Sequence, residues 1–239
     1  MMPSHINRHA NAGPFEQFAS TLLPAGLNEQ AIAELREVTR HMCVARGTPA
    51  AISGATDQFV FVIRGTVKLV AHVGDREQIL SFHFSGDLAW LPAQSSHDLV
   101  FCATSDCELL VVPAAALMAS GKRDSTVLQM LLERCTASLD RSRDKVILLG
   151  RKSAPERMAD FLLSLAKRLG LSAAATQTLN LTMSRRDIAD ALGLTIETVS
   201  RQLGELRLAG VIETMGRSSI RLLDRGELAK RSGRPYPVE

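Results

Sequence analysis

Between Asp124 and Leu149 the chain has neither proline nor glycine, and apolar or small residues recur there in alternating steps of four and three: Leu128, Leu132, Cys135, Leu139, Ser142, Val146 and Leu149. That spacing belongs to a helix that lays one seam along a second helix. Many positions between are charged: Glu133, Arg134, Asp140, Arg141, Arg143, Asp144 and Lys145. A helix packed only on its own domain needs no such regularity. A 3.5-residue period held from Leu128 to Leu149 favours self-pairing about a two-fold axis. The spacing therefore predicts a dimerisation helix over residues 124–152, and the sequence on either side must supply domains that such a helix can carry.

Before that helix, residues 1–22 mix His, Asn, Pro and Gly without period. They read as a loose lead-in, and a flexible N-terminal segment is expected over 1–24. Asn28 to Val38 reads as a short amphipathic helix, with Ile32, Leu35 and Val38 at helical spacing. From Cys43 to Pro113 short β-rich runs are separated by glycines at positions 47, 54, 65, 74 and 86. Phe59–Ile63, Thr66–Val73, Gln78–Phe84 and Glu108–Val112 are the clearest runs, and Gly74-Asp75 looks like a hairpin turn. A small antiparallel sandwich or barrel over 25–123 follows.

After Gly150, Ser153-x-x-Glu156 with Pro155 in the first turn opens another helix, through Met158, Phe161, Leu162, Leu165 and Leu169. Residues 171–180 read as a loop. Ser184-x-x-Asp187 then caps a short helix, Arg185–Leu192. Gly193 supplies the turn, and Thr195 caps the next helix. On that last helix Ile196, Val199, Leu203 and Leu206 share one face, while Glu197, Arg201 and Glu205 lie opposite, with Gly204 beside them. This is a helix–turn–helix pattern, in which one face anchors the second helix and the other enters a major groove. Arg201 can donate to guanine O6 and N7, and Glu197 can accept from cytosine N4. Thr195, Thr198 and Ser200 can reach phosphates or bases. The competing reading of Glu197 and Arg201 is a surface ion pair four residues apart, worth only tenths of a kcal/mol. The cap, the turn and the apolar face favour the DNA reading. Val211–Glu213 and Ser219–Leu223, joined through Met215-Gly216-Arg217-Ser218, read as a wing. Arg217 and Arg221 are candidate phosphate contacts on it. The DNA-binding domain is expected over 153–225, and a tail over 226–239.

Charge agrees with this division. Residues 1–150 hold 13 basic and 15 acidic residues, a net of −2; residues 151–239 hold 15 and 10, a net of +5. Aromatic residues are only 4% of the chain, so base stacking is not the expected mode of binding. The four cysteines form no C-x-x-C pair, and the start of the chain has no apolar leader. The expectation is a cytoplasmic protein with reduced thiols and no membrane span. No G-x-S-x-G, H-E-x-x-H, Walker A or dinucleotide fingerprint is present. Ser95, Ser96, His97 and Asp98 have the letters of a catalytic triad, but adjacent residues rarely converge on one reacting atom. No catalysis is expected.

Leu181–Arg201 (LTMSRRDIADALGLTIETVSR), with its Glu197-x-x-Ser200-Arg201 core, resembles the Crp/Fnr superfamily, and within it the Fnr/FixK branch. Phe82–Leu88 (FHFSGDL) is a weaker match in the sheet region. The resemblance implies an α+β architecture: an N-terminal β-roll of cyclic-nucleotide-binding type, a long dimerisation helix and a C-terminal winged helix–turn–helix. It also implies binding of double-stranded DNA at a TTGA(T/C)-type palindrome through Glu197, Ser200 and Arg201, and contact with RNA polymerase. Two departures bear on cofactors. Where nucleotide-binding members carry Arg followed by Ser or Thr, this chain has His97-Asp98, and an Asp there repels a phosphate. The N-terminal cysteine group of oxygen-sensing members is missing, since no Cys precedes Cys43. A regulator without cofactor is expected. The alternative is a haem- or redox-responsive regulator of the same family, using His83 or His97 for haem, or Cys102 and Cys107 for redox chemistry.

Overall fold

The computed structural model describes residues 13–52, 54–171, 177–216 and 218–234. They form two compact units that divide inside one long helix, between Leu139 and Asp140.

The first unit is built on two antiparallel sheets. Strands β1 (Arg40–Val44), β2 (Gln58–Arg64), β5 (Leu88–Leu91) and β7 (Cys107–Pro113) form one sheet in the order β1-β7-β2-β5. Strands β3 (Thr66–Val73), β4 (Arg76–Phe84) and β6 (Asp98–Ala103) form the other, in the order β4-β3-β6. Gly74, at φ +58°, makes the β3–β4 turn that the sequence predicts. Val60, Val62, Val67, Leu91, Phe101 and Leu109 belong to one core cluster. Phe61 and Ile63, the alternate residues of β2, belong to another with Leu110, Val112 and residues from the helices. Strand β2 is thus covered on both faces, which is why its sequence is an unbroken apolar run.

Three helices cover the first sheet: α1 (Pro14–Leu22), α2 (Glu29–Val38) and α3 (Ala114–Arg123). Helix α1 replaces the loose segment expected over 1–24 in its second half; residues 1–12 lie outside the described residues. Phe15, Phe18 and Leu22 are spaced by three and four, and all three are buried. Phe18 meets the edge of Phe61 at a centroid distance of 5.4 Å. Pro14 at the first helical position fits because that N–H has no helical partner in any case. In α2 the buried residues are Ala31 and Leu35, whereas Val38 is exposed. Its inner face is therefore rotated from the one read in the sequence. Helix α3 starts directly after Pro113 and was not apparent as a helix in the sequence.

Helix α4 (Ser125–Arg151) runs for 27 residues. Val127 and Leu131 on one side join the core of the first unit. Leu148, near its far end, is buried in the second.

The second unit contains α5 (Ala154–Arg168), α6 (Arg185–Leu192), α7 (Ile196–Leu208) and α8 (Arg225–Arg231), with a sheet of β8 (Gln177–Asn180), β9 (Ile212–Met215) and β10 (Ser219–Leu222). The strand order is β8-β10-β9, all antiparallel. Two expectations are corrected here. The loop read over 171–180 ends in a strand, because Gln177–Asn180 completes hydrogen bonding along the open edge of β10. The tail expected from 226 begins as helix α8, whose Leu228 and Ala229 are buried. Its end is held by charge. Asp160, 5% exposed, accepts from Arg234 Nε and Nη2 at 2.6 and 2.8 Å and from Lys152 Nζ at 2.5 Å. Burial raises its pKa, but these two cations more than offset that, and the carboxyl stays below its usual range.

Gly65, at φ +90°, links β2 to β3. A Cβ there would collide with the Asp106 carbonyl and lie 2.7 Å from Cys107 Sγ. Gly65→Ala should therefore destabilise the protein by about 2–4 kcal/mol, read as a lower Tm in thermal unfolding. An unchanged Tm would contradict the crowding.

Candidate nucleic-acid interface

The site is built from the caps outward. Ser184 Oγ accepts from the Asp187 N–H at 3.1 Å, and Asp187 Oδ2 accepts from the Ser184 N–H at 2.8 Å. The reciprocal box fixes where α6 begins. The helix ends at Gly193, whose φ of +61° is left-handed. Thr195 then starts α7, its Oγ1 accepting from the Thr198 N–H at 3.2 Å and lying 3.1 Å from Thr198 Oγ1.

One face of α7 is anchored. Val199, Leu203 and Leu206 are buried, and so are Ile188, Ala189 and Leu192 of α6 and Met158, Leu162 and Leu165 of α5. Ile196 is only half-buried, while Gln202 is 5% exposed. Gln202, polar and preceded by Arg201, gives no sign of that burial in the sequence.

The other face is open. Thr195, Glu197, Ser200, Arg201 and Glu205 are exposed, and Thr198 is half-buried. Ser200, which the helical wheel places near the edge of the buried face, stands clear of it. Glu197 sits in the first turn of α7. Its own backbone N–H and the Thr195 hydroxyl hold its carboxyl below the usual range, so it is a carboxylate at neutral pH. Arg201 pairs with Glu205 rather than with Glu197, and loosely: Nε to Oε1 is 4.0 Å with both side chains more than half exposed. Such a pair is worth little in water, so Arg201 gives it up at small cost to a stronger acceptor. On the wing, Arg221 Nη1 donates to Glu213 Oε2 at 2.9 Å. Arg217 lies outside the described residues.

This arrangement has known counterparts. Residues 156–231 match the Crp-like helix-turn-helix domain. Over 197 residues, 78% of this chain and 79% of the relative, the chain is 36% identical to the nitrogen fixation regulation protein FixK of Azorhizobium caulinodans. It belongs to the Crp/Fnr family, in its FixK-like branch. It is also 29% identical over 221 residues to the fumarate and nitrate reduction regulatory protein of Yersinia pestis, covering 90% of this chain and 88% of that one. The structure of FixK2 from Bradyrhizobium japonicum superposes with a TM-score of 0.72 at 32% identity, over 83% of this chain and all of that one. The mixed helix-and-strand fold and the DNA-binding, transcription-regulating character of this Crp/Fnr protein follow.

In this Crp/Fnr regulator the sheet unit has a cavity of about 360 Å³, lined by residues that include Ile52, Leu91, Ser96, His97, Asp98 and Phe101. Among the described residues lining it none is Lys or Arg, and Asp98 brings a carboxylate. Such a lining does not suit a cyclic phosphate. His97 is exposed. His83 is buried, its Nε2 2.8 Å from Ser81 Oγ and its ring against Phe101 at 5.6 Å. Cys107 is buried and donates to the carbonyls of Thr66 and Ser105. Cys102 is half-buried, and Cys43 and Cys135 are exposed. Among the described residues no three His, Cys, Asp or Glu side chains are placed to hold a metal ion, and no helix is long and apolar enough to cross a membrane.

The predicted seam of α4 faces outward. Leu128, Leu132, Leu139 and Val146 are 39%, 64%, 51% and 72% exposed. Cys135 and Ser142 are exposed as well, and Leu149 is half-buried.

Gly204 lies seven residues after Glu197, on the same face of α7, and a Cβ there would meet nothing within 4 Å. Gly204→Ala should stabilise the fold by up to about 1 kcal/mol through helix propensity, read as a raised Tm. Weaker DNA binding by the same variant in a gel-shift titration would show that DNA lies against this backbone. Unchanged binding would remove Gly204 from the interface.

Proposed function

We propose that two copies of this chain pair through α4 and present two α7 helices to successive major grooves of one TTGA(T/C)-type palindrome. The observation that carries this is the apolar row Leu128, Leu132, Leu139 and Val146, left in water along one side of a helix whose Val127, Leu131 and Leu148 are buried. An apolar row at heptad spacing is stabilised by burial against its own copy, because a two-fold axis brings the same residues face to face. Cys135, Ser142 and Leu149 complete that seam.

Each α7 would read one half-site, with half-site centres about 34 Å apart. Arg201 would leave Glu205 for guanine O6 and N7, and Glu197 would accept from a cytosine amine. A carboxylate set before a polyanion gains affinity only where a base amine satisfies it, so Glu197 contributes chiefly to selectivity. Ser200, Thr195 and Thr198 would position the helix through phosphate and base contacts, and Arg217 would add a phosphate contact from the wing. The regulator would work without cyclic nucleotide or iron–sulfur cluster, supported by the acidic, cation-free lining of the cavity and the scattered cysteines. RNA polymerase is the partner through which such binding would change transcription.

Binding-site selection from random duplexes should return an inverted repeat with a TTGA(T/C) half-site. Selection of a direct repeat or of no common sequence would defeat the proposal. Arg201→Ala should cost about 1–3 kcal/mol of affinity and relax preference at one base pair per half-site. Equal weakening on every duplex would instead make Arg201 a phosphate contact. Leu132→Asp combined with Leu139→Asp should convert the dimer to a monomer in sedimentation velocity while leaving the helical circular dichroism in place. Persistence of the dimer would move the interface elsewhere.

A further inference from the structure

Arg157, on the first turns of α5, stands among backbone carbonyls of several elements. Its Nε donates to the Lys152 carbonyl at 2.9 Å and its Nη2 to the Leu149 carbonyl at 2.8 Å. Its Nη1 donates to the Leu192 carbonyl at 2.9 Å and reaches that of Gly193 at 3.5 Å. Leu149 is in the last turn of α4, and Leu192 is the last residue of α6. The last carbonyls of a helix have no partner within it, and the helix dipole places partial negative charge there. One guanidinium thus satisfies a terminal carbonyl of each of the two helices.

The turn packs against this contact. A Cβ on Gly193 would lie 3.4 Å from Arg157 Nη1 and 3.4 Å from Leu149 Cδ2. The end of α4, the start of α5 and the turn ahead of the recognition helix therefore meet at one side chain. A guanidinium is flat and carries five N–H groups in a rigid fork, so acceptors bound to it are held at fixed angles to one another. Lysine carries the same charge as a single point on a flexible stem and cannot hold acceptors from two helices in a set direction.

We propose that Arg157 is a positioning residue that sets the angle between α4 and the α6–α7 pair, and so the half-site spacing that two copies can read together. This rests on the paired reading under Proposed function. Each base pair added between half-sites turns the second by about 34–36° and moves it about 3.4 Å, so a fixed angle admits few spacings. Arg157 would itself touch no DNA. Its loss should leave the base preference within a half-site unchanged and blunt the choice among spacings.

The test uses the full chain and duplexes bearing two inverted TTGA(T/C) half-sites, with their separation varied one base pair at a time. The parent should prefer its best spacing by about tenfold or more over one longer by two base pairs, since that shift is about 70° of helical turn. Arg157→Lys and Arg157→Met should retain the parent's helical circular dichroism and its preference among half-site sequences. Both should discriminate between those spacings by less than about threefold, because the fork is gone. Parent-like spacing discrimination in both variants would overturn the assignment while leaving the paired reading intact. A parent with no preferred spacing would bring down the paired reading, and this inference with it. Loss of helical signal in both variants would also overturn it, because Arg157 would then hold the unit together rather than aim it.

Discussion

A helix of 27 residues, about 40 Å long, is left uncovered along one side by the chain that carries it. Helix α4 buries Val127, Leu131 and Leu148 and leaves Leu128, Leu132, Leu139 and Val146 in water. Apolar surface removed from water contributes roughly 25 cal/mol per Å², so a row of this kind gains by finding a second apolar row. The charged residues between the seam positions keep the rest of the helix soluble. That unequal wetting is the reason to read this Crp/Fnr regulator as a paired molecule, and paired geometry gives the distance between two recognition helices its meaning.

The second unit shows how a small domain makes one helix both rigid and readable. Val199, Leu203 and Leu206 are spent on anchoring, which leaves Glu197, Ser200 and Arg201 free of packing duties. The exposed charges are balanced lightly. Arg201 has a partner 4.0 Å away in solvent, and Glu197 is satisfied by its own N–H and by Thr195. By contrast Asp160 is nearly fully buried, and both Lys152 and Arg234 hold it. A buried charge stripped of its partners would cost several kcal/mol, whereas an exposed one can change partners cheaply. The domain thus holds one ion cluster inside, around Asp160, and a loosely held pair on the open face of α7.

The sheet unit tells a different story from its shape. It retains two packed sheets and a cavity, yet the described residues lining that cavity include a carboxylate and neither Lys nor Arg. Its histidines and thiols are dispersed as well. His83 is buried against Ser81 and Phe101, and the Cys107 thiol donates a hydrogen bond to backbone carbonyls. Fold follows from packing and recognition from a few polar atoms, so a shared fold does not by itself decide what such a cavity accepts.

Local pattern made much of this legible from residues alone. The Ser184–Asp187 box, the Gly193 turn, the Thr195 cap and the heptad seam each depend on side chains a few positions apart, and spacing of that kind can be read along a sequence. The outward face of α7 follows from the same period. What tertiary structure decided involves partners distant in sequence or without chemical identity in it. Helix α1 became visible as a core element only when Phe18 met Phe61, and β8 only when the edge of β10 was free to receive it. Gln202 is buried by its neighbours, and Arg157 is fixed by carbonyls that any residue would have supplied. A sequence records side chains, and a backbone acceptor acquires a position only when the chain has folded around it.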